Sequence, residues 1–242
     1  NSTQKAAEAT AGRPYNAQNS FEREVQFNSD VSHELRTPIS VIMAQSEYGK
    51  DNVSTLSESK DIFNIILKEA QKMSHLVSQL LTLARMDKGH QKLNLSNVNI
   101  SELAEIIIDS QKGNAETKNI TIFSEITPDI YANIDESMMM RVFINLLSNA
   151  VTYGKIDGNI HFKLYSQEKM LIIEISDDGI GISSEHIDKI WTRFYQVDPS
   201  RNSNGAGLGL SMVKWIVEAH NGNISVTSEV GKGTVFTIQI PL

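Results

Sequence analysis

Two long-period apolar stripes near the start of the chain constrain its fold more than any other feature. Phe21, Val25, Asn28, Ser32, Leu35, Ile39 and Ile42 follow a 4-3-4-3 spacing. That is the seam of a bundle helix, with two polar layers just before His33. "GKDNVSTLSES" then breaks the pattern and offers Ser and Asn caps. Beyond it, Ile62, Ile66, Met73, Leu76, Leu80 and Leu83 line one face of a second helix. This helix ends near "MDKGH", where Gly89 suits a C-terminal cap. Two helices alone leave each stripe partly uncovered. The expectation is therefore an all-α hairpin that pairs with a second copy into a four-helix bundle, a homodimer through residues 21–88. Packing of the hairpin on the rest of its own chain is the alternative. Residues 1–20 are polar and small, and read as a connector or the end of a signalling helix entering from upstream.

The texture changes after residues 89–97, which read as a linker. Residues 98–242 mix helix and strand patterns. Ser101 to Ser110 look helical, with Ser101 as N-cap, and "ITIFSEI" and "IYANID" look like strands. A helix carrying Met138, Val142, Phe143, Leu146 and Leu147 follows, then a strand hairpin of "NIHFKLYSQ" and "KMLIIEISD". A last helix starts after Gly209 and ends at His220-Asn221-Gly222, and a closing hairpin turns around Gly231-Lys232-Gly233. The expected architecture is an α+β sandwich, an antiparallel-rich sheet with helices on one face.

Composition removes several function classes. The net charge of −7 argues against nucleic acid as the main partner. The absence of cysteine removes disulfides, thiolate zinc sites and a cysteine nucleophile. No run of eighteen apolar residues is present. Because the chain opens on Asn1, it reads like the start of a fragment whose parent carries any membrane portion upstream.

Four patches in the second half carry candidate chemistry. "NLLSNAVTYG" places Asn145 and Asn149 four apart on one helix face. Such amides suit phosphate oxygens or the shell of a hydrated Mg²⁺, or else they are merely solvated or capping. "DDGIGI" offers Asp177 as acceptor for an exocyclic amine such as adenine's, with Gly179 and Gly181 admitting a flat ring; an ordinary Asp-Gly turn is the plainer reading. "GAGLGL", running into a helix, presents N–H groups and a dipole end suited to phosphate. It is neither a dinucleotide fingerprint nor a Walker A loop. "IWTRFYQVDPSRNSN" is a polar loop anchored by Trp191, Phe194 and Tyr195, a lid or simply a surface loop. Upstream, "SHELRTP" sets His33 beside Glu34, with Pro38 in mid-helix, where proline costs ~3 kcal/mol.

Taken together and in order, these motifs resemble the catalytic core of the sensor histidine kinases of two-component systems. "SHELRTP" is similar to that family's H-box, "NLLSNAVTYG" to its N-box and "DDGIGI" to its first glycine box. "IWTRFYQVD" is similar to the F-box and "GAGLGL" to the second glycine box. The resemblance covers residues 21–242. It implies a dimerisation and phosphotransfer hairpin followed by an ATP-binding domain of the fold shared with Hsp90, DNA gyrase and MutL-type ATPases. His33 would accept phosphoryl from Mg-ATP, with Glu34 polarising it, and pass it to an aspartate of a response regulator receiver domain. That partner is expected on the outer faces of the hairpin around Val41 to Tyr48. Thr37, completing "HELRT", implies phosphatase activity toward the same partner. Asp177 would hold the adenine amine with Thr234 nearby, Asn149 would hold Mg²⁺, and Asn145 and Tyr153 would line the phosphate side. Gly205, Gly207, Leu208, Gly209 and Leu210 would form the lid hinge and phosphate-facing loop, and Pro38 would let the upper bundle bend. The family setting implies the cytoplasmic portion of a bacterial membrane-anchored sensor.

Two residues depart from the family pattern. Thr152 and Gln196 stand where basic residues are common, leaving Lys155, Arg193 and Arg201 as candidates to supply the charge. Two other readings stay open. One is a different ATPase of the same nucleotide fold; the other is a phosphatase-biased or scaffolding nucleotide-binding dimer. His75, His90, His161, His186 and His220 are expected to have no chemical role.

Overall fold

The computed structural model describes residues 2–52, 55–87, 92–198 and 205–242, with side chains described from Val25 onward except Gln26 and Asp87. Gly89, His90 and Arg201, and the side chain of Phe21, therefore lie outside the described residues. The chain divides into two compact units, Asn1–Thr82 and Leu83–Leu242.

The first unit is built from α1 (Ser2–Asn52) and the greater part of α2 (Leu56–Asp87). Residues 1–20, expected as connector, belong to the same helix from Ser2 onward, and α1 is continuous through Pro38, whose side chain is buried. The entry to α2 is capped by neither Ser nor Asn but by Thr55. Its hydroxyl accepts from the Glu58 N–H and the Glu58 carboxylate accepts from the Thr55 N–H, both at 3.2 Å. "TLSE" is thus a reciprocal capping box. Along the stripes, Ile62 and Leu76 are buried and Leu35, Ile42, Ile66, Met73 and Leu80 are half-buried. Val25, Ile39, Met43, Phe63, Leu67 and Leu81 remain exposed, Phe63 at 68%. No helix among the described residues is long and apolar enough to cross a membrane.

The second unit contains β1 (Ser96–Asn99), α3 (Ile100–Glu116), β2 (Thr121–Ile126), β3 (Tyr131–Ile134), α4 (Glu136–Tyr153), β4 (Asn159–Gln167), β5 (Met170–Asp177), α5 (Ser184–Ile187), α6 (Gly209–Ala219), β6 (Asn223–Glu229) and β7 (Gly233–Pro241). The main sheet has the order β2-β4-β5-β7-β6, antiparallel except for the β2–β4 pair. A small second sheet pairs β1 with β3, so part of the expected linker is strand. Ile160, Phe162 and Leu164 alternate inward with Ile173, Ile175, Phe236 and Ile238. Against this face lie α3, α4 and α6, with Phe143 meeting Phe162 edge-on at 5.5 Å.

Ser101 does not cap α3. Asn99 does, accepting from the Glu102 N–H at 3.2 Å. The Ser101 hydroxyl instead donates to the Thr127 carbonyl and accepts from the Ile130 N–H, tying α3 to the β2–β3 connection. Buried His220 is similarly architectural. Its Nδ1 donates to the Ile216 carbonyl at 2.7 Å, leaving Nε2 to accept from the Asp135 N–H at 3.0 Å. Asp135 then caps α4 through the Met138 N–H. Burial works against its charge, but hydrogen bonds from Asn94, Ser137 and Met138, with His220 nearby, hold its carboxyl below the usual range.

Candidate functional site

Helix α4 fixes the first group. Asn145 and Asn149 are both half-buried. The Asn145 amide donates back to the Arg141 carbonyl at 2.8 Å, which leaves its Oδ1 toward the start of α6. A Cβ at Gly209 would stand 2.7 Å from that oxygen, so only glycine lets α6 begin so close to α4. Asn149 differs: its carboxamide has no protein partner among the described residues and is not sealed in the core, which leaves one oxygen and one NH₂ for something else.

The second group forms where β5 ends. Asp177 pairs across the ladder with Thr234, and its Oδ1 accepts from the Gly179 N–H at 2.9 Å. Burial, joined by the charge of Asp178, pushes its carboxyl above the ordinary range, although hydrogen bonds from the Gly179 and Thr234 N–H groups oppose the shift. Gly181 has φ +69° and lies against the Glu229 carbonyl, a place no side chain could occupy. The Ile180 N–H donates to the Tyr153 carbonyl at 3.2 Å, and Gly179 packs on the same carbonyl. The end of α4 and the turn after β5 are therefore one piece of structure. Ser228, which the sequence reading missed, completes it. Its hydroxyl lies 2.9 Å from that of buried Thr234, donates to the Gly233 carbonyl and accepts from the Ile182 N–H. The pairing of Ser228 with Thr234 across the closing hairpin is the signal that could have found it.

The third group joins the aromatic segment to the glycine loop before α6. Trp191 meets Phe236 edge-on at 6.0 Å, and Lys214 lies over the Trp191 ring. His186 Nδ1 and the Tyr195 hydroxyl are 2.5 Å apart. The Phe194 N–H donates to the Gly207 carbonyl at 2.9 Å, and Gln196 Nε2 donates to the Gly205 carbonyl at 2.7 Å. Gln196 thus has a contact of its own, binding the two ends of the loop together. The Leu208 side chain is fully buried, so its part in the loop is played by its main chain. Leu210 is half-buried in the first turn of α6, which carries no side-chain cap. Among the described residues no side chain caps its leading N–H groups, the arrangement that suits an anion.

Of the expected replacement cations, Arg201 lies outside the described residues and Lys155 has a carboxylate partner. Lys155 pairs with Asp178 at 3.4 Å. Burial works against charge on Asp178, yet hydrogen bonds from Asn159 and Lys155 bring its carboxyl below the usual range. A cation missed in the sequence, Lys118, reaches the end of α4 instead, donating to the Thr152 carbonyl at 2.5 Å and the Gly154 carbonyl at 3.3 Å. No cluster of three or more His, Asp or Glu side chains able to hold a metal occurs among the described residues. A metal here would need to bring most of its own ligands, as hydrated Mg²⁺ on a polyphosphate does.

His33, Glu34 and Thr37 lie in the first unit, on α1. His33 is exposed and Glu34 half-buried. Burial raises the Glu34 carboxyl above its usual range; Asp30, one turn earlier, adds to this and His33 opposes it. The Thr37 hydroxyl lies 3.5 Å from the His33 carbonyl, a weak contact that leaves it available.

Comparison with known proteins agrees with this geometry. Residues 23–89 match the His Kinase A (phospho-acceptor) domain, and residues 134–242 match the histidine kinase-, DNA gyrase B- and HSP90-like ATPase domain. The chain is 34% identical over 224 residues to the sensor histidine kinase YclK of Bacillus subtilis (strain 168), covering 91% of this chain and 47% of YclK. It superposes on the Acinetobacter baumannii histidine kinase AdeS with TM-score 0.71 and 26% identity, over 86% of this chain and 97% of that one. The histidine kinase ThkA, solved in complex with response regulator protein TrrA, shares the fold with TM-score 0.71 at 23% identity, over 89% of this chain and 61% of that one. The chain belongs to the sensor histidine kinase family and carries its catalytic core. It spans about half the length of YclK.

Proposed function

We propose that the chain binds Mg-ATP in its second unit and phosphorylates His33 in its first. The observation that carries this reading is that the turn after β5 and the glycine loop before α6 both close on α4. Gly209 closes on Asn145, Ile180 hydrogen-bonds Tyr153, and Asp177 lies in register with Thr234. That leaves the Asn149 carboxamide, the half-buried Asp177 carboxylate and the uncapped start of α6 for a ligand with an amine at one end and anions at the other. Asp177 accepts from the adenine amine, Asn149 offers its oxygen to Mg²⁺, and the N–H groups from Gly205 to Leu210 face phosphate oxygens. Bound Mg²⁺ supplies charge neutralisation of the polyphosphate.

An unprotonated ring nitrogen of exposed His33 forms the N–P bond as the γ-phosphorus parts from the bridging oxygen of ADP. Glu34, whose burial favours holding a proton, stabilises positive charge on the ring or takes its proton. The phosphoryl group then passes to an aspartate carboxylate of a receiver domain docked on the hairpin around Val41 to Tyr48. The ThkA–TrrA complex supports a partner of that kind. Residues 21–88 serve as the phosphotransfer hairpin, and the ATP-binding domain extends from strand β1 at Ser96 to residue 242. The parent is a longer bacterial sensor, membrane-anchored upstream, whose catalytic portion faces the cytoplasm.

The hairpin is one half of a dimer. Val25, Ile39, Met43, Phe63 and Leu67 are exposed along it, apolar surface that a second copy of the hairpin would cover. Sedimentation of the purified chain is expected to give twice the chain mass, and a monomer at micromolar concentration would refute the pairing.

Thr37 gives the protein a second activity, release of phosphate from the phosphorylated regulator, its exposed and only weakly bonded hydroxyl placing the attacking water. Thr37→Ala is expected to slow that release by about tenfold, the scale of one lost hydrogen bond to a reacting group, with His33 labelling within about twofold of wild type. Equal loss of both activities would make Thr37 structural.

A further inference from the structure

The sequence places no basic residue in the last turn of α4, and Thr152 stands where one is common in the family. A helix end without such a cation presents unsatisfied carbonyls and the negative end of its dipole. The cation that reaches it comes from far upstream. Asn119 has a left-handed φ of 54°, and the chain turns there with the Lys118 and Ile120 N–H groups both on the Ala115 carbonyl. Half-buried Lys118 donates from Nζ to the carbonyls of Thr152 and Gly154, the two neighbours of Tyr153.

The same turn grips the following loop again. The Asp157 N–H donates to the Lys118 carbonyl at 3.0 Å, Asn119 Nδ2 donates to Asp157 Oδ1 at 2.5 Å, and the Thr121 N–H donates to the Gly158 carbonyl at 3.0 Å. On its other side this segment meets the glycine turn: Tyr153 accepts from Ile180, and Asp178 accepts from the Asn159 N–H at 3.0 Å. Residues 152–159 are thus a short bridge, held by Lys118 on one side and bonded on the other to the turn that aims Asp177.

We propose that Lys118 is a positioning residue for adenine recognition, acting through the Tyr153 carbonyl on the Ile180 and Gly179 main chain and so on the Asp177 carboxylate. In this role it is distinct from a phosphate-binding cation, two of the three N–H donors of its ammonium being held by main-chain carbonyls. This inference rests on the ATP-site reading above. Positioning of the base end and attraction for phosphates predict different ligand dependence. A residue that aims Asp177 serves adenosine, ADP and ATP alike, whereas a phosphate-binding cation serves ATP most and adenosine least.

The test is titration of the whole chain, as wild type, Lys118→Met and Lys118→Arg, with adenosine, ADP and Mg-ATP followed by protein NMR, with melting temperature measured in parallel. Lys118→Met is expected to lose about tenfold in affinity for all three ligands, the scale of one charge-assisted hydrogen bond, and Lys118→Arg to recover most of it. A loss that grows from adenosine to ATP would overturn the proposal in favour of phosphate contact. A lowered melting temperature with unchanged affinities would reduce Lys118 to a structural cap. Failure of the wild type to bind any adenine ligand would instead contradict the ATP-site reading itself.

Discussion

Replacing Asp177 with asparagine is expected to weaken Mg-ATP binding by about a hundredfold without unfolding the protein. The size follows from losing a charged hydrogen-bond acceptor and facing an amine with a carboxamide that must turn to present its oxygen. Stability should move the other way. Burial raises the Asp177 carboxyl above its ordinary range, with Asp178 adding and the Gly179 and Thr234 N–H groups opposing. The folded state therefore binds this proton more tightly than the unfolded chain does. The stabilisation from that proton is complete below the ordinary aspartate range, about pH 4, and is lost as pH rises through the raised folded value. Above it the wild type carries a charge its fold disfavours and the asparagine variant does not. Calorimetry without nucleotide should find the variant's melting temperature equal to or above wild type at pH 8, with the difference shrinking toward pH 4. A variant that melts lower at pH 8 yet binds ATP normally would show that Asp177 serves the fold and not the ligand.

His33→Gln should abolish phosphoryl incorporation, by about a thousandfold or more, while leaving nucleotide affinity within about twofold. Glutamine keeps length and polarity but has no nucleophilic ring nitrogen. His33 is exposed on α1, and Asn149 and Asp177 belong to the other unit, so the packing of the fold does not depend on its side chain. The variant should still release phosphate from the phosphorylated regulator, because Thr37 remains. Scintillation counting of the washed protein and a parallel nucleotide titration separate the two effects. Residual label above background would place a second acceptor on the chain.

The broad architecture was legible because it follows from periodicity. The stripes at Ile62, Leu76 and their neighbours specify long helices, and the alternation of Ile160, Phe162 and Leu164 specifies a strand with one buried face. What escaped was set by contacts distant in sequence. Ser101 had the residue type of an N-cap, but its hydroxyl gains two partners at Thr127 and Ile130, so capping falls to Asn99 two residues earlier. Strand β1, "SNVN", is too short and polar to announce itself, and exists because β3 lies beside it.

In the candidate site the glycines and carboxylates were visible as motifs, whereas the groups that aim them were not. Ser228, Lys118 and Gln196 act through main-chain carbonyls or hydroxyls that no local pattern encodes. The pairing of Lys155 with Asp178 likewise joins residues that no local pattern connects. Leu208 was named with its loop, but no local pattern told that its side chain is buried in the core.

The most direct test of the central claim is to incubate the chain with Mg²⁺ and γ-labelled ATP, treat the product with acid and base, and map the label by tandem mass spectrometry. The account predicts an acid-labile, base-stable phosphoryl group on His33. Tight ATP binding with no label on His33 would contradict it, leaving a nucleotide-gated phosphatase or scaffold.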